Sequence, residues 1–305
     1  MPPGYETTSR LHGADVYGDG GPSVAGGTTA SPEIDITVPS TARMYDFWLG
    51  GKDHFAVDRA AALKVSEAAP EVKMMAEENR KFLRRVVRYL AAEVGIAQFL
   101  DIGTGLPTQG NVHQVAQEVN QEARVVYVDN DPMVIAHSRA LKTRTSGNTS
   151  VIEADLRDPA KILKHRRTLE LIDFSQPLAV LLVAVLHFIS DEDDPYAIVG
   201  SLRDALPAGS YLVISHATGG ILGGDSANKV AEHYRQNVAS GATLRDKDDI
   251  LRLFAGFEVV EPGIVQVPYW RPAESDLANA DADKVWVLGA VGRKPEQDAI
   301  VKTTQ

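Results

Sequence analysis

Beyond Gly95, short apolar runs alternate with stretches of helical periodicity, and this alternation restricts the fold more than any other feature of the chain. The runs Gln98 to Ile102, Arg124 to Asp129, Ser150 to Glu153, Leu178 to Val185 and Tyr211 to His216 read as strands with helices between them. Such units make right-handed crossovers between parallel neighbours, and the resulting sheet is covered on both faces. Two more runs, Glu258 to Val267 and Val285 to Val291, follow with no clear helix between them. They read as a hairpin that leaves one strand antiparallel. The expected fold is therefore α/β, Rossmann-like, with a mostly parallel seven-stranded sheet spanning residues 96–293.

The chain ahead of the sheet divides in two. Residues 1–38 are rich in Gly, Pro, Ser and Thr and lack apolar periodicity, so they read as a disordered lead. Residues 39–95 form an expected helical extension, in which a helix starting at Pro70 places Met75, Phe82, Val86 and Leu90 near helical spacing and stops at Gly95. Residues 294–305 read as a frayed tail.

Composition narrows the chemistry. The 305 residues contain no cysteine, which excludes disulfides, thiolate metal sites and a thiol nucleophile; no metal site is expected. The formal charge of −10 disfavours a nucleic-acid partner, and the Asp191-Glu192-Asp193-Asp194 run adds to that. The basic clusters Arg84-Arg85-x-x-Arg88 and Lys164-His165-Arg166-Arg167 read as solvated helix faces. The longest apolar run, Pro177 to Ile189, is too short to span a bilayer, and no secretory signal is visible. A cytoplasmic protein with no membrane partner is expected.

The chemistry-bearing motifs gather at strand ends. Phe99-Leu100-Asp101-Ile102-Gly103-Thr104-Gly105 is an apolar strand running into a glycine turn, with a helix expected from about Gln109. Glycines let backbone approach a ligand closely, and the helix start beyond offers N–H groups to a phosphate or a carboxylate. Asp129 ends the second strand near the spacing of a ribose-binding acid, while Asn130 and Asp131 are placed to cap the next helix. Past the third strand, Asp155 and the backbone of Leu156 suit an adenine ring, or Asp155 or Asp158 caps a helix.

These acids separate two cofactors. A dinucleotide fingerprint needs a third glycine where Thr108 stands, and it has no task for Asp101 or Asp155. S-adenosyl-L-methionine uses both, with Asp101 and the turn Gly103, Thr104 and Gly105 at the amino acid tail and Asp129 and Asn130 at the ribose. At the fourth strand end, Ala184 is expected at the cofactor, and His187 stands as a candidate general base or as a packing residue; His216 is a weaker rival. Near the start, Tyr45, Phe47 and Trp48 beside Gly50-Gly51 suit either a lid hinged at the glycines, with Tyr45 facing the sulfonium, or an anchor for the preceding chain.

Ala42 to Asp53, Asn79-Arg80-x-Phe82-Leu83-Arg84-Arg85, Phe99 to Thr108, Tyr127 to Pro132 and Leu186-His187-Phe188 together resemble the actinobacterial S-adenosyl methyltransferase-like family, over about residues 39 to 294. The resemblance implies a class I methyltransferase fold with a helical N-terminal extension. It also implies a cofactor site at Asp101, Gly103, Gly105 and Asp129, with Tyr45, Gly50 and Gly51 beside it. It supplies no acceptor. The expected activity is methyl transfer to a small-molecule acceptor. The alternatives are a non-catalytic binder of S-adenosylmethionine or its demethylated product, and an NAD-dependent oxidoreductase.

Overall fold

A computed structural model describes residues 34–107, 110–142, 147–222, 224–238, 241–273 and 281–296. The chain from Ile34 onward clusters as one unit. The lead through residue 33, Thr108 and the tail beyond residue 296 lie outside the described residues, and so do the expectations attached to them. The two ends of the described chain are tied to the rest by cationic side chains. Asp35 and Val38 carbonyls accept from the Arg43 guanidinium, and Lys294 donates through Nζ to the carbonyls of Arg203 and Leu206.

The strands are β1 (Gln98–Ile102), β2 (Arg124–Asp129), β3 (Thr149–Glu153), β4 (Ala179–Val183), β5 (Tyr211–Ala217), β6 (Glu258–Val259), β7 (Val265–Gln266) and β8 (Val287–Arg293). Their order is β3-β2-β1-β4-β5-β8-β6, with β7 also on β8. The first five are parallel, and β8 runs antiparallel to β5, β6 and β7. The sheet thus has eight strands, because the run Glu258 to Val267 breaks in the middle. Pro262 has no N–H for a ladder, and Gly263 (φ 86°) turns back to donate to the Val260 carbonyl. β4 also stops short of the expected Val185, since Ala184 leaves extended backbone at φ 55°.

Helices α1 (Thr41–Trp48), α2 (Ala56–Ala68) and α3 (Val72–Tyr89) precede the sheet. α4 (Val112–Val119), α5 (Pro132–Lys142), α6 (Pro159–Leu163), α7 (Arg166–Leu171) and α8 (Pro195–Ala205) fill the crossovers. α9 (Gly219–Leu222), α10 (Gly224–Asn237) and α11 (Lys247–Arg252) lie between β5 and β6. α3 begins two residues after Pro70 and buries Met75, Phe82 and Val86 along one stripe. A single π turn, Leu90–Val94, and left-handed Gly95 end it.

Strand periodicity decides what faces the extension. On β1, β2 and β5, Phe99, Val125, Tyr127, Val213 and Ala217 join the core shared with Met44, Trp48, Phe82 and Val86 of the N-terminal helices. Leu100, Ile102, Val126, Val128, Leu212 and Ile214 point to the opposite core with α6, α8 and α11. By the same alternation Asp101, Asp129 and Ser215 fall on the extension's face, and His216 on the other. The N-terminal helices are therefore the roof over that half of the strand ends, not a separate appendage. The first basic cluster serves the same packing: Arg85 donates to the carbonyls of Trp270 (3.0 Å) and Val267 (2.6 Å), and Arg88 pairs with Glu118. Arg85 is thus a bolt between α3 and the chain after β7, where a solvated face was expected. The second cluster stays on the surface, with Arg166 and Arg167 both on Glu170.

Candidate active site

The turn after β1 is fixed by two independent contacts. Gly103 (φ 74°) and Thr104 donate their amides to the Val128 carbonyl, at 2.8 and 3.2 Å, and the Gly105 amide donates to Asp129 Oδ2 at 2.9 Å. A Cβ on Gly103 would stand 2.4 Å from Val185 Cγ2, so the β4 tip forbids any side chain there. Gly105 (φ 65°) differs: a Cβ there would have nothing within 4 Å, so this backbone borders open space.

The amides of Gly103, Thr104 and Gly105 are thus all bonded within the protein. The helix beyond starts at Val112, later than Gln109; Asn111 and Gln114 cap it reciprocally, and the His113 amide donates to the Tyr127 hydroxyl. A ligand carboxylate at this place needs another donor. Arg80 of α3 is the positive charge that acts on Tyr45, Asp101 and Tyr127 alike. Its local sequence does not reveal that role, because nothing in the pattern indicates that α3 lies near the β1 end.

Asp101 is buried, and its Oδ2 accepts from Thr104 Oγ1 at 3.0 Å. Burial pushes its pKa up to about 6, against the Thr104 bond and Arg80, with Asp129 adding repulsion. Asp129 is equally buried and accepts from the Gly105 and Asp131 amides; burial pushes it up to about 6 as well. Asp131, not Asp129, takes the Met133 amide at the start of α5. Asp129 thus clamps the glycine turn to β2 and keeps a lone pair beyond these bonds.

Asn130 and Asp155 meet across the tips of β2 and β3, with Asn130 Nδ2 donating to Asp155 Oδ2 at 3.0 Å. Asp158 caps α6, so Asp155 is not consumed as a helix cap. Arg157 pairs with Asp155 and Asp193 and also donates to the Phe188 carbonyl, joining the β3 tip to the turn after β4. Leu156 is buried.

The aromatic segment lies over this edge. Tyr45 donates its hydroxyl to the Ala76 carbonyl and accepts from Asn79 Nδ2, both at 3.0 Å, and Trp48 Nε1 donates to Ser66. Asp46 accepts from the Asp53 amide and from His54 Nδ1, and a Cβ on Gly51 would collide with it. Gly50 is left-handed in open space. The two glycines therefore belong to a bonded turn. A buried ion pair, Arg43 with Asp58 at 3.0 Å, fixes the segment. Ile34, Ala42 and Phe55 pack on Leu106, Met133 and Val134, and the Ser40 hydroxyl donates to Asp131. The segment is anchored across the glycine turn and the β2 tip, covering both.

The turn Leu186–Phe188 after β4 is held by Arg245, which donates to the carbonyls of Leu186 and Ile189, to Asp191 and to His216 Nε2. His216 Nδ1 lies 2.7 Å from the Ala217 carbonyl, so it carries the proton and Nε2 accepts. Both nitrogens of His216 are engaged, and burial lowers its pKa to about 4. It is not placed to act as a base. His187 is buried, and its pKa falls well below 6.5 through desolvation, then His216 and Arg245. Its Nδ1 faces the Ala217 amide at 3.5 Å, which leaves the ring proton on Nε2. Among the described residues no group of three or more His, Asp or Glu side chains is arranged to hold a metal ion, and no helix is long and apolar enough to cross a membrane.

The S-adenosyl methyltransferase family model matches residues 27–295. The chain belongs to that family. It is 40% identical to a DUF574 family protein of Streptomyces avermitilis, with a TM-score of 0.82 over 86% of this chain and 100% of the other. It is 44% identical to a candidate methyltransferase of Thermobifida fusca, with a TM-score of 0.80 over 88% and 99%. No curated protein matches the chain. The fold is that of class I methyltransferases.

Proposed function

We propose that this member of the family binds S-adenosylmethionine across the tips of β1 to β4 and transfers its methyl group to a small acceptor beside Ala184 to Phe188. The reading rests on the Gly105–Asp129 clamp: a buried carboxylate with spare lone pairs next to backbone that borders open space. The surrounding side chains fit the group. Asp101 would take the ammonium, Arg80 the carboxylate, Asp129 with Asn130 the ribose hydroxyls, and Asp155 with Leu156 the adenine edge. Thr104 holds Asp101 in place, Ala184 lines the β4 tip, and Tyr45, Gly50 and Gly51 belong to the cover that keeps water out. When bound, S-adenosylmethionine supplies an electrophilic methyl group on a sulfonium leaving group.

The protein's share of the rate is then positioning and exclusion of water. His187, neutral and carrying its proton on Nε2, suits a hydrogen bond to an acceptor oxygen or nitrogen better than removal of a proton. An acceptor that already has a free lone pair suits such a site.

The engaged histidines also favour a second reading, a protein that binds the cofactor without using it. Titration calorimetry with S-adenosylhomocysteine and incubation of methyl-labelled S-adenosylmethionine with an extract of the source organism separate the two. Micromolar binding with protein-dependent labelled product supports the enzyme, binding without product supports the sensor, and no binding overturns both.

A further inference from the structure

Ala184 is the one described non-glycine residue at a cofactor-facing strand tip that sits in left-handed backbone, at φ 55°. An L side chain is strained there, so its surroundings must hold it. Its amide donates to both the carbonyl (3.1 Å) and the hydroxyl (2.9 Å) of Ser215 on the neighbouring strand. Having accepted from Ala184, Ser215 Oγ directs its own proton to Asn79 Oδ1 at 2.6 Å. That bond fixes the orientation of the amide, whose Nδ2 donates to Tyr45, whose hydroxyl in turn donates to the Ala76 carbonyl. The sense of the side-chain bonds cannot be reversed, because a backbone N–H begins the chain and a backbone carbonyl ends it. Ser215 is fully buried and Asn79 is 2% exposed.

The residue after Ala184, Val185, presses on Gly103, so the conformation at the β4 tip reaches the glycine turn directly. We infer that Asn79 is a positioning residue for methyl transfer: through Ser215 it sets the backbone of Ala184, and with it the wall that the sulfur and amino acid tail of the cofactor lie against. This rests on the cofactor reading above. In the strand order β3-β2-β1-β4, the adenosine end falls to β3 and β2 and the tail end to β1 and β4. Asn79 therefore governs the tail end alone.

The test compares two ligands on the full chain: S-adenosylhomocysteine, which has the tail, and 5′-methylthioadenosine, which lacks it. Asn79→Ala is expected to weaken S-adenosylhomocysteine about tenfold or more while changing 5′-methylthioadenosine less than about threefold, a tenfold loss being about one hydrogen bond within a network. Asn79→Asp, protonated in its buried site, can still accept from Ser215 and donate to Tyr45, and should restore affinity to within about threefold. Ser215→Ala removes a single oxygen and should show the same split; it decides the matter if Asn79→Ala fails to fold. Equal losses for both ligands, or no loss for either, overturn the positioning role while leaving the cofactor reading intact. A wild-type protein that binds neither ligand overturns both.

Discussion

The two halves of the strand-end rim are built on opposite plans. At β1 and β2, the carboxylates of Asp101 and Asp129 are held by a few backbone or side-chain donors and keep lone pairs to spare, while Asp155 just past β3 is shared between Asn130 and Arg157. At β4 and β5, the polar groups are closed on one another: Arg245 ties Leu186, Ile189, Asp191 and His216 together, and Ser215 is bound between Ala184 and Asn79. The first half buries the two acids Asp101 and Asp129 with few partners, and these are the groups the proposed function uses. The second is a scaffold held largely by its own bonds, with His187 Nε2 left over. Two glycines mark the same contrast within one turn, since Gly103 is pressed by β4 and Gly105 opens onto free space.

That contrast can be broken most forcefully at Gly103. Gly103→Ala combines left-handed backbone with a 2.4 Å clash against Val185, and should destabilise the protein by about 3 kcal/mol. Thermal denaturation should show a fall of roughly 5–10 °C. Gly105→Ala, with the backbone penalty but no clash, should lose about 1 kcal/mol, and equal melting temperatures for the two variants would erase the distinction.

Next in size, Asp129→Asn should weaken S-adenosylhomocysteine by about 1.5–3 kcal/mol, the scale of a charge-assisted bond. Calorimetry reads this directly, and an unchanged Kd removes Asp129 from the site.

The pH dependence follows in size. Both Asp101 and Asp129 have folded pKa values near 6, above the ordinary 3.8, so the stability they contribute to the free protein is present below about pH 4 and lost as pH rises through about 6. Ligand binding reverses the preference, because an ammonium and ribose hydroxyls favour the ionised acids. Affinity should be level above about pH 7 and fall up to tenfold per unit and per proton, about 1.4 kcal/mol, as pH drops below 6, the pair titrating together. An affinity independent of pH between 5 and 7 would contradict a carboxylate-lined tail site.

The smallest effect belongs to the closed half. Asp191 is 74% exposed although its partner Arg245 is buried, so Asp191→Asn should cost at most about 1 kcal/mol in urea denaturation. A larger loss would show that the scaffold depends on its rim.

Much of the first half was legible in the chain. Asp101 and the glycine turn, Asp129 with Asp131 as the capping alternative, and Asp155 beside Asp158 are local patterns, each read from its neighbours in sequence. The second half was not. His187 and His216 look alike in sequence, each at or just past a strand end, yet only contacts with Arg245 and Ala217, remote from one or the other, consume His216 and fix the proton of His187. Asn79 and Arg80 stood out only as part of a family-like motif with no role attached, because their use depends on where α3 crosses the sheet.

The order of strand and helix, the turn at Gly103 to Gly105 and the acids at successive strand ends came from the chain itself, since periodicity and turn chemistry act between near neighbours. Which face of the sheet the N-terminal helices cover, which amides remain unspent and which imidazole keeps a usable nitrogen were decided by the tertiary structure. Those outcomes depend on groups up to 136 residues apart, such as Asn79 and Ser215, and hydrogen-bond capacity is allotted only once they meet.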